Sequence, residues 1–333
     1  MSRADASVGR KAWWDRIFMG GLLALVVFGL AALAAATGWE ETLAQVAKLS
    51  LQAVGLLLAL SIANYALRAL RWHLFARDLG LSTPMTTNAL HYLAGFAMTV
   101  TPGRVGELIR MRWLRSETGW SFERTAPLAL VDRAADLAAT GIMLAMAVAF
   151  STLGMGMGLT LALPIALGSI CAAVIATRPS LLSAAVGAAY KATGRFPRLM
   201  ARVRTAARSI AVFSQPRTLF LAGALSLLGW FAEGWAFHML LVWMGAPIPF
   251  WTAISIFLFA TLAGGLTGAP GGIGGAEAAM VALLTLEGVP LDIAVAATAV
   301  IRLTTLWFAI GIGVLLFPVA ERSAKKARDG VAV

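Results

Sequence analysis

Charged residues are scarce in this sequence, and cysteine and histidine are scarcer still. Lys, Arg, Asp and Glu make up 13% of the 333 residues, whereas soluble domains carry about 25%, and 59% of the residues are hydrophobic. The single cysteine, Cys171, excludes a disulfide framework and a cysteine-based metal site. The three histidines, His73, His91 and His238, lack the spacing of metal ligands, so we expect no metal or other cofactor. This composition indicates an integral membrane protein.

Sequence motifs of several enzyme classes are also missing. The chain contains no Gly-x-x-x-x-Gly-Lys-Ser/Thr loop for nucleotide phosphates, no His-Glu-x-x-His helix and no Gly-x-Ser-x-Gly turn. These absences argue against ATP hydrolysis, zinc proteolysis and serine hydrolysis by this chain. We therefore expect that the protein is not an enzyme.

The basic residues give a formal net charge of +11 and lie in short segments next to apolar runs. No basic helix is interleaved with aromatic residues, as a base-stacking surface would be, so we expect no nucleic acid partner. By the positive-inside bias, basic segments mark the cytoplasmic side, where they also attract anionic lipid headgroups. They are the N-terminus at 1–16, a linker at 178–217 without acidic residues, and the tail at 318–333. We expect both termini to be cytoplasmic.

Six apolar runs are long enough to cross the hydrocarbon layer, which needs about 20 helical residues. They lie at 17–37, 49–67, 127–150, 159–177, 218–244 and 291–317. Arg68, Arg71 and Arg77 follow the second run and predict that it ends at the cytoplasmic face. The sequence therefore predicts an all-α polytopic membrane protein with six transmembrane helices.

Two Pro-Gly links interrupt shorter apolar segments at membrane depth. The first reads Thr-Pro-Gly-Arg-Val-Gly-Glu from Thr101, and the second reads Ala-Pro-Gly-Gly-Ile-Gly-Gly-Ala-Glu from Ala269. Non-helical backbone at that depth is tolerated only where protein or a water-filled cavity satisfies its amides. Both links therefore predict re-entrant helical hairpins, at 87–115 and 251–287.

The spacing of the two links indicates an internal duplication. The link prolines are 168 positions apart, and Arg133 and Arg302, the predicted intramembrane arginines downstream of each link, are 169 apart. From the order of the spans, the first hairpin enters the membrane from the cytoplasmic side and the second from outside. The membrane halves at 17–177 and 218–317 thus predict an inverted repeat, which is typical of transporters that bind their substrate near the midplane.

Charged residues inside the predicted membrane region, together with the links, form the candidate site. Each charge costs at least about 2.5–3.5 kcal/mol to insert, so it normally pairs or lines a polar path. The helix starts that follow the links carry partial positive charge and free amides, which suit an anionic group. The candidate substrate-binding residues are Pro102, Gly103, Glu107, Asp132, Arg133, Asp136, Glu233, Pro270, Gly271, Gly272, Gly274, Glu277 and Arg302.

A purely structural role is the alternative for these charges. Arg133 would then pair with Glu107 and fasten the first hairpin to the span that follows it. Arg302 would do the same for the second hairpin through Glu277 or Glu233. A fastening pair and a substrate contact are compatible roles for one residue.

These motifs together resemble a known family. The region 93–114 with the first link, Asp132-Arg133 with Asp136, the second link and Arg302 are similar to the lysylphosphatidylglycerol synthase transmembrane domain family, the flippase-like domain. The resemblance covers roughly 17–317. In bifunctional members a soluble aminoacyl transferase follows this part, and we expect that half to be absent here. The resemblance implies a stand-alone member that moves a lipid with a polar or charged headgroup across the bacterial plasma (inner) membrane.

Three functions are compatible with the sequence. The first is a lipid flippase for a phospholipid, an aminoacylated lipid or a polyprenyl- or hopanoid-type lipid, with membrane lipids as partners. The second is a scaffold or accessory subunit that holds a lipid-modifying enzyme or a glycosyltransferase through the 178–217 linker, where apolar positions from 199 to 213 recur at helical spacing. The third is an ion-coupled exporter of a small solute.

Overall fold

The structure is a computed structural model that describes residues 39–101, 106–150, 162–193 and 210–331, and every regular element in these ranges is helical. The predicted span at 17–37, Pro102 and Gly103 of the first link, and most of the predicted linker helix lie outside the described residues. The α-helices in these ranges are α1 Trp39–Ala47, α2 Leu51–Asp78, α3 Met85–Ala94, α4 Ile109–Thr118, α5 Phe122–Phe150, α6 Leu163–Thr177, α7 Pro179–Thr193, α8 Pro216–Trp243, α9 Phe250–Leu266, α10 Gly275–Leu286, α11 Leu291–Arg302 and α12 Phe308–Val331.

Four helical segments in the described ranges are long and apolar enough to cross a membrane. They are α2, α5, α8 and the segment in which α11 continues through a π turn, Leu303–Trp307, into α12. A fifth is added if α6 and the start of α7, which meet at an angle of 104°, count as one bent span. These helices confirm a multi-pass, all-helical membrane protein.

Helix α2 is longer than the sequence predicts, and its polar residues lie on its packed face. The Ser50 side chain accepts a hydrogen bond from the Ala53 amide and caps the helix start. The helix continues to Asp78, well past the predicted end at 67. Arg68 and Arg71 are buried inside the protein, whereas Arg77 is exposed, and the side of the membrane on which this helix ends stays a prediction. The helix continues because both guanidinium groups find carboxylate partners inside the protein.

The short helices form two pairs that pack on long helices of the other half. α9 and α10, of 17 and 12 residues, pack against each other, and α9 also packs against α5. α3, the 3₁₀ turn Gly95–Met98 and α4 all pack against α12. None of these helices reaches the roughly 20 residues that a full crossing needs. Each pair therefore reaches across to the half that it does not belong to.

Buried apolar side chains form two main clusters with a polar layer between them. The first surrounds Phe237 and Phe257, and the second surrounds Trp72. Along α2, Leu57 belongs to the first cluster and Tyr65 to the second. The buried polar residues of α2 begin in the interval between these two positions. The boundary between the clusters is therefore where polar groups are concentrated in the interior.

The described ends of the basic linker are helical. α7 turns sharply away from α6 at Arg178, whose φ and ψ are extended. Near the other end, Ile210 and Phe213 are fully buried, and the ring of Phe213 meets that of Phe75 at 5.5 Å between centroids. These two positions of the predicted amphipathic helix therefore pack into the protein core.

Candidate functional site

Arg71 on α2 is the centre of a buried ion network with α5. Its Nη2 lies 2.6 Å from Oδ1 of Asp132, and its Nη1 lies 2.8 Å from Oδ1 of Asp136. Nη1 also donates to the hydroxyl of Ser226 on α8, at 2.5 Å. The side chains of Arg71 and Asp132 are 0% and 1% exposed, so this interaction is shielded from solvent. The network joins helices from both halves of the chain.

Two more arginines contact the same carboxylates. Arg68, one turn earlier on α2, pairs with Asp136. Arg133 lies 2.9 Å from Oδ2 of Asp132 and 3.5 Å from Oδ2 of Asp136, and its side chain is 35% exposed. Asp132, Arg133 and Asp136 therefore form a charged cluster on α5. Its carboxylates are shared with two arginines of α2 that the sequence interpretation had placed at the surface.

Glu107, the carboxylate that follows the first link, is bonded from three sides. It accepts a hydrogen bond from the hydroxyl of Thr99 at 2.9 Å. Its Oε2 lies 3.3 Å from Nη1 of Arg110 and 3.5 Å from Nη2 of Arg133. The predicted contact between Arg133 and Glu107 thus exists. It connects the first link to α5 and to the Arg71 network.

Arg110, the second residue of α4, lies inside the protein. Its side chain is 3% exposed, and the guanidinium carbon is 4.2 Å from the ring centroid of Tyr92 and 5.4 Å from that of Trp72. Aromatic faces stabilise a desolvated guanidinium through their quadrupoles. The helix after the first link therefore begins within the core.

The second link is built from glycines with left-handed backbone. Gly271, Gly272 and Gly274 have φ of 61°, 71° and 84°, and Pro270 begins the short 3₁₀ turn that contains the first two. Only glycine adopts such angles without steric cost. A Cβ on Gly272 would also meet the backbone of Gly264 at 3.0 Å. The link is thus packed tightly onto the end of α9.

Arg302 holds the second link in place. Its Nε donates to Oε1 of Glu277 at 2.5 Å, and its Nη2 donates to the carbonyl of Gly271 at 3.0 Å. Oε2 of Glu277 accepts the amide of Gly274 at 2.7 Å, which caps the start of α10. Of the two partners predicted for Arg302, Glu277 is the one that it binds. Glu233 instead accepts a hydrogen bond from Nδ2 of Asn64 at 2.6 Å.

A small central cavity lies where both halves and both short-helix pairs meet. Its volume is about 60 Å³, and its charged lining residues are Arg68, Glu233 and Arg302. Thr99 and Tyr65 also line it, and the hydroxyl of Tyr65 donates to the carbonyl of Thr305 in the π turn. One water needs roughly 10–15 Å³ of such space, so the cavity has room for a few water molecules.

Two hydrogen-bond donors at this cavity have no acceptor among the described residues. They are Nε of Arg68 and Nε1 of Trp230, and the guanidinium carbon of Arg68 lies 5.6 Å from the ring centroid of Trp230. A buried donor without an acceptor costs about 1–3 kcal/mol. The cavity is therefore suited to a group that brings oxygen acceptors, such as water, a phosphate or a carboxylate.

Among the residues that the structure describes, the buried and partly buried charges around the cavity and the links are balanced. The five cations are Arg68, Arg71, Arg110, Arg133 and Arg302, and the five anions are Glu107, Asp132, Asp136, Glu233 and Glu277. A charged substrate therefore has to displace one of these residues from its ion-pair partner. In the part of the chain that the structure describes, no three His, Cys, Asp or Glu side chains are grouped to hold a metal ion.

The predicted site residues that the structure describes divide into three groups. Glu233 and Arg302 line the central cavity. The residues of the adjoining ion network are Glu107, Asp132, Arg133 and Asp136, and those that shape or hold the second link are Pro270, Gly271, Gly272, Gly274 and Glu277. Pro102 and Gly103 lie outside the described residues.

Sequence analysis missed the contribution of α2, namely Tyr65, Arg68 and Arg71. A signal was available, because Ser61, Asn64, Arg68 and Arg71 follow one another at spacings of three, four and three. Residues at such spacings share one face of a helix. A polar face on a membrane helix turns toward protein or a cavity, since lipid cannot satisfy it.

Residues 17–313 match the family model described as the lysylphosphatidylglycerol synthase TM region. Two curated relatives from Methanothermobacter thermautotrophicus, each called UPF0104 membrane protein, are 32% identical over 108 residues and 28% identical over 126 residues. These alignments cover 32% and 36% of this chain, and 31% and 37% of the relatives, so the chain matches about a third of each relative's length. Because the family match extends over most of the sequence, the chain belongs to the family of the lysylphosphatidylglycerol synthase transmembrane region.

Proposed function

We propose that this protein is a lipid translocase that moves a lipid with a polar or charged headgroup between the leaflets of the plasma membrane. The observation that carries the proposal is the central cavity, to which the two halves contribute Arg68, Glu233 and Arg302. The unpaired donors of Arg68 and Trp230 would bind headgroup oxygens. Membership of the family supports a membrane function for the same region.

Such a protein has to lower the free-energy barrier to moving a headgroup across the hydrocarbon layer. A charged headgroup crosses hydrocarbon slowly because its charge loses hydration there. A path lined by arginines and carboxylates replaces water with fixed polar partners. At about 60 Å³ the cavity is too small for a headgroup, so translocation requires it to widen. We propose that a headgroup phosphate displaces Glu277 from Arg302 in that step.

The proposal includes a topology of six spans with two re-entrant hairpins that enter from opposite sides, and both termini in the cytoplasm. Support comes from a contact that recurs in the two halves. Glu107 of the first link pairs with Arg133, and Glu277 of the second pairs with Arg302. Equivalent contacts at equivalent positions are expected of an inverted repeat.

Reconstitution into liposomes tests the proposal. We expect the purified protein to exchange fluorescent phosphatidylglycerol between leaflets, measured by its quenching from outside. Trp230→Phe keeps an aromatic ring, smaller than the indole, and removes the unpaired donor, and Glu233→Gln keeps the acceptor for Asn64 and removes the charge. Both variants should slow exchange about tenfold or more, whereas Lys326→Gln, which removes one exposed charge from the tail, should leave it unchanged.

Other results would favour the other functions. If no anionic, aminoacylated or polyprenyl lipid exchanges and the cavity variants behave as the parent protein, the scaffold function through the basic linker is favoured. Flux of a small solute without lipid exchange would indicate an exporter. We also propose that the protein is not an enzyme, so the lipid recovered after exchange should be chemically unchanged.

A further inference from the structure

A large basic cavity opens between the end of α2 and the start of α8. Its volume is about 490 Å³, and its charged lining residues are Arg71, Arg77, Asp78 and Arg217. Arg71 is paired with the aspartates of α5, and Asp78 accepts a hydrogen bond from the hydroxyl of Thr218 at 2.6 Å. Arg77 and Arg217 are exposed and have no ion-pair partner among the described residues. Asp78 offsets one of these two charges, so beyond the Arg71 pairs the lining carries a net positive charge of one.

The backbone adds to this positive potential. The first turn of α8 lines the same cavity, and its N-cap residue, Gln215, makes no side-chain hydrogen bond to the helix. The start of a 28-residue helix presents unpaired amides and the positive end of its dipole. Two arginines and a helix start around one cavity are chemically suited to a phosphate.

An apolar groove of about 260 Å³ adjoins this cavity between α5, α6 and α8. Phe75 and Ala222 line both spaces. The groove extends along α5 from Val131 to Ile142, which is about 16 Å at 1.5 Å per residue. Its lining on α5 includes four alanines, so the walls are set back from one another. This shape is that of a single acyl chain lying along the helices.

Polar groups occur at one end of the groove. Arg178 and Ser214 line it there, and the hydroxyl of Ser214 is buried without a hydrogen-bond partner among the described residues. The opposite end, at Ile142, Ile170 and Leu227, is apolar. A phospholipid has the same order of groups, with a phosphate, then ester oxygens, then a hydrocarbon chain. A free phosphate would leave the apolar groove unused.

We propose that this cavity and groove form a binding site for an anionic phospholipid, with the phosphate at Arg77 and Arg217 and one acyl chain between α5, α6 and α8. The site is connected to the central network through Arg71, which lines the cavity and binds Asp132 and Asp136. This inference rests on the proposed function, because it takes the bound lipid to be the substrate before translocation. It assigns the substrate class as a lipid with a net negative headgroup.

The test measures binding separately from translocation. Native mass spectrometry of the full chain in detergent compares phosphatidylglycerol, phosphatidylcholine with the same chains, and glycerol 3-phosphate. We expect phosphatidylglycerol to bind most tightly, and each of Arg77→Gln and Arg217→Gln to weaken it about fivefold, since one arginine near such a headgroup contributes about 1 kcal/mol. Arg115→Gln, an exposed arginine of α4 outside the cavity, should have no effect.

A matched pair of glycine substitutions tests the groove. A Cβ on Gly223, which lines the groove, meets nothing within 4 Å, so Gly223→Leu can place apolar volume in the groove without moving the backbone at this residue. Gly168 on α6 is exposed, equally open and outside the groove, so Gly168→Leu is the control. Leucine favours the helix at both positions, and both variants should fold. Only Gly223→Leu should lower the occupancy of phosphatidylglycerol, by about tenfold.

Several outcomes would overturn the site. These are equal binding by the two leucine variants, no loss on removing either arginine, or competition by glycerol 3-phosphate at the concentrations at which the lipid binds. Loss of binding together with slower leaflet exchange supports both the site and its place in translocation. If phosphatidylglycerol binds as expected but neither the parent protein nor any variant exchanges lipid, the proposed function is rejected and the binding site stands. If lipid is exchanged but every variant binds phosphatidylglycerol as tightly as the parent protein does, the site is rejected and the proposed function stands.

Discussion

Asp136 shows how far the fold depends on single buried charges. It pairs with Arg68 and accepts from Arg71 at 2.8 Å. Removing one partner of a buried ion pair costs about 3–5 kcal/mol because the other charge stays buried without compensation. We expect Asp136→Asn to lower the free energy of unfolding by that amount, measured by denaturant unfolding in detergent micelles.

An exposed pair provides the control for Asp136→Asn. Arg112 pairs with Glu321, and the two side chains are 59% and 38% exposed. Surface pairs contribute about 0–1 kcal/mol, so Glu321→Gln should change the unfolding free energy by less than 1 kcal/mol. Similar losses in the two variants would show that the Asp136 pairs are hydrated and contribute little.

The sequence revealed those charges that follow a recognisable motif. Glu107 and Glu277 each close a Pro-Gly link, and an arginine follows each at nearly the same distance along the chain, so both pairs could be anticipated. Arg68 and Arg71 could not be placed by the same approach. Basic residues at the end of an apolar run usually mark a membrane surface, and the signal against that expectation is the helical spacing that places Arg68 and Arg71 on one face with Ser61 and Asn64.

At the scale of the element, the second link depends on glycine at one position more than at its neighbours. Gly272 combines a φ of 71° with a close approach to the backbone of Gly264. Alanine there would be strained by its backbone angle and by contact, each of which costs of the order of 1–3 kcal/mol. We expect Gly272→Ala to lower the thermal midpoint measurably and to slow leaflet exchange, because the carbonyl of Gly271 would move away from Arg302.

Gly265, in the last turn of α9, is the matched control. A Cβ on this residue meets nothing within 4 Å, and its φ lies outside the left-handed region. Gly265→Ala should be neutral or stabilise the helix by up to about 1 kcal/mol. Unchanged stability and exchange in Gly272→Ala would mean that the link adapts easily and does not position Arg302.

The sequence predicts helix lengths well where hydropathy determines them. It predicts them poorly where buried polar contacts extend a helix. The apolar runs of α5 and α8 correspond well to the predicted spans. α2 continues to Asp78 because its buried arginines pair inside the protein. Hydropathy falls at these arginines, which is why the sequence predicts an earlier end. The bend of 104° after Thr177 follows from Pro179, which disfavours helical backbone at Arg178, and the sequence interpretation did not use this signal.

At the scale of the whole molecule, the two halves of the chain are interlocked. α2 packs along α8, and each pair of short helices packs on a long helix of the other half. Both halves also supply charges to the central cavity. A change at one link can therefore reach the other through contacts with α5 and α12. Such coupling is what a protein with alternately opening sides requires.

The orientation of the two links is the prediction on which the translocation proposal depends most. The exposed native thiol of Cys171 is first removed by Cys171→Ala. Single cysteines then replace Val105 in the first link and Ala269 in the second, where the φ of −63° accepts any residue. A membrane-impermeant maleimide should label position 105 only from the cytoplasmic side and position 269 only from outside, because an inverted repeat opens its halves in opposite directions. A cysteine at Lys326 in the tail, which the proposed topology places in the cytoplasm, serves as the reference for that side. Labelling of both links from one side would contradict the inverted repeat, and a headgroup path between the two leaflets would then have no opening at one of its ends.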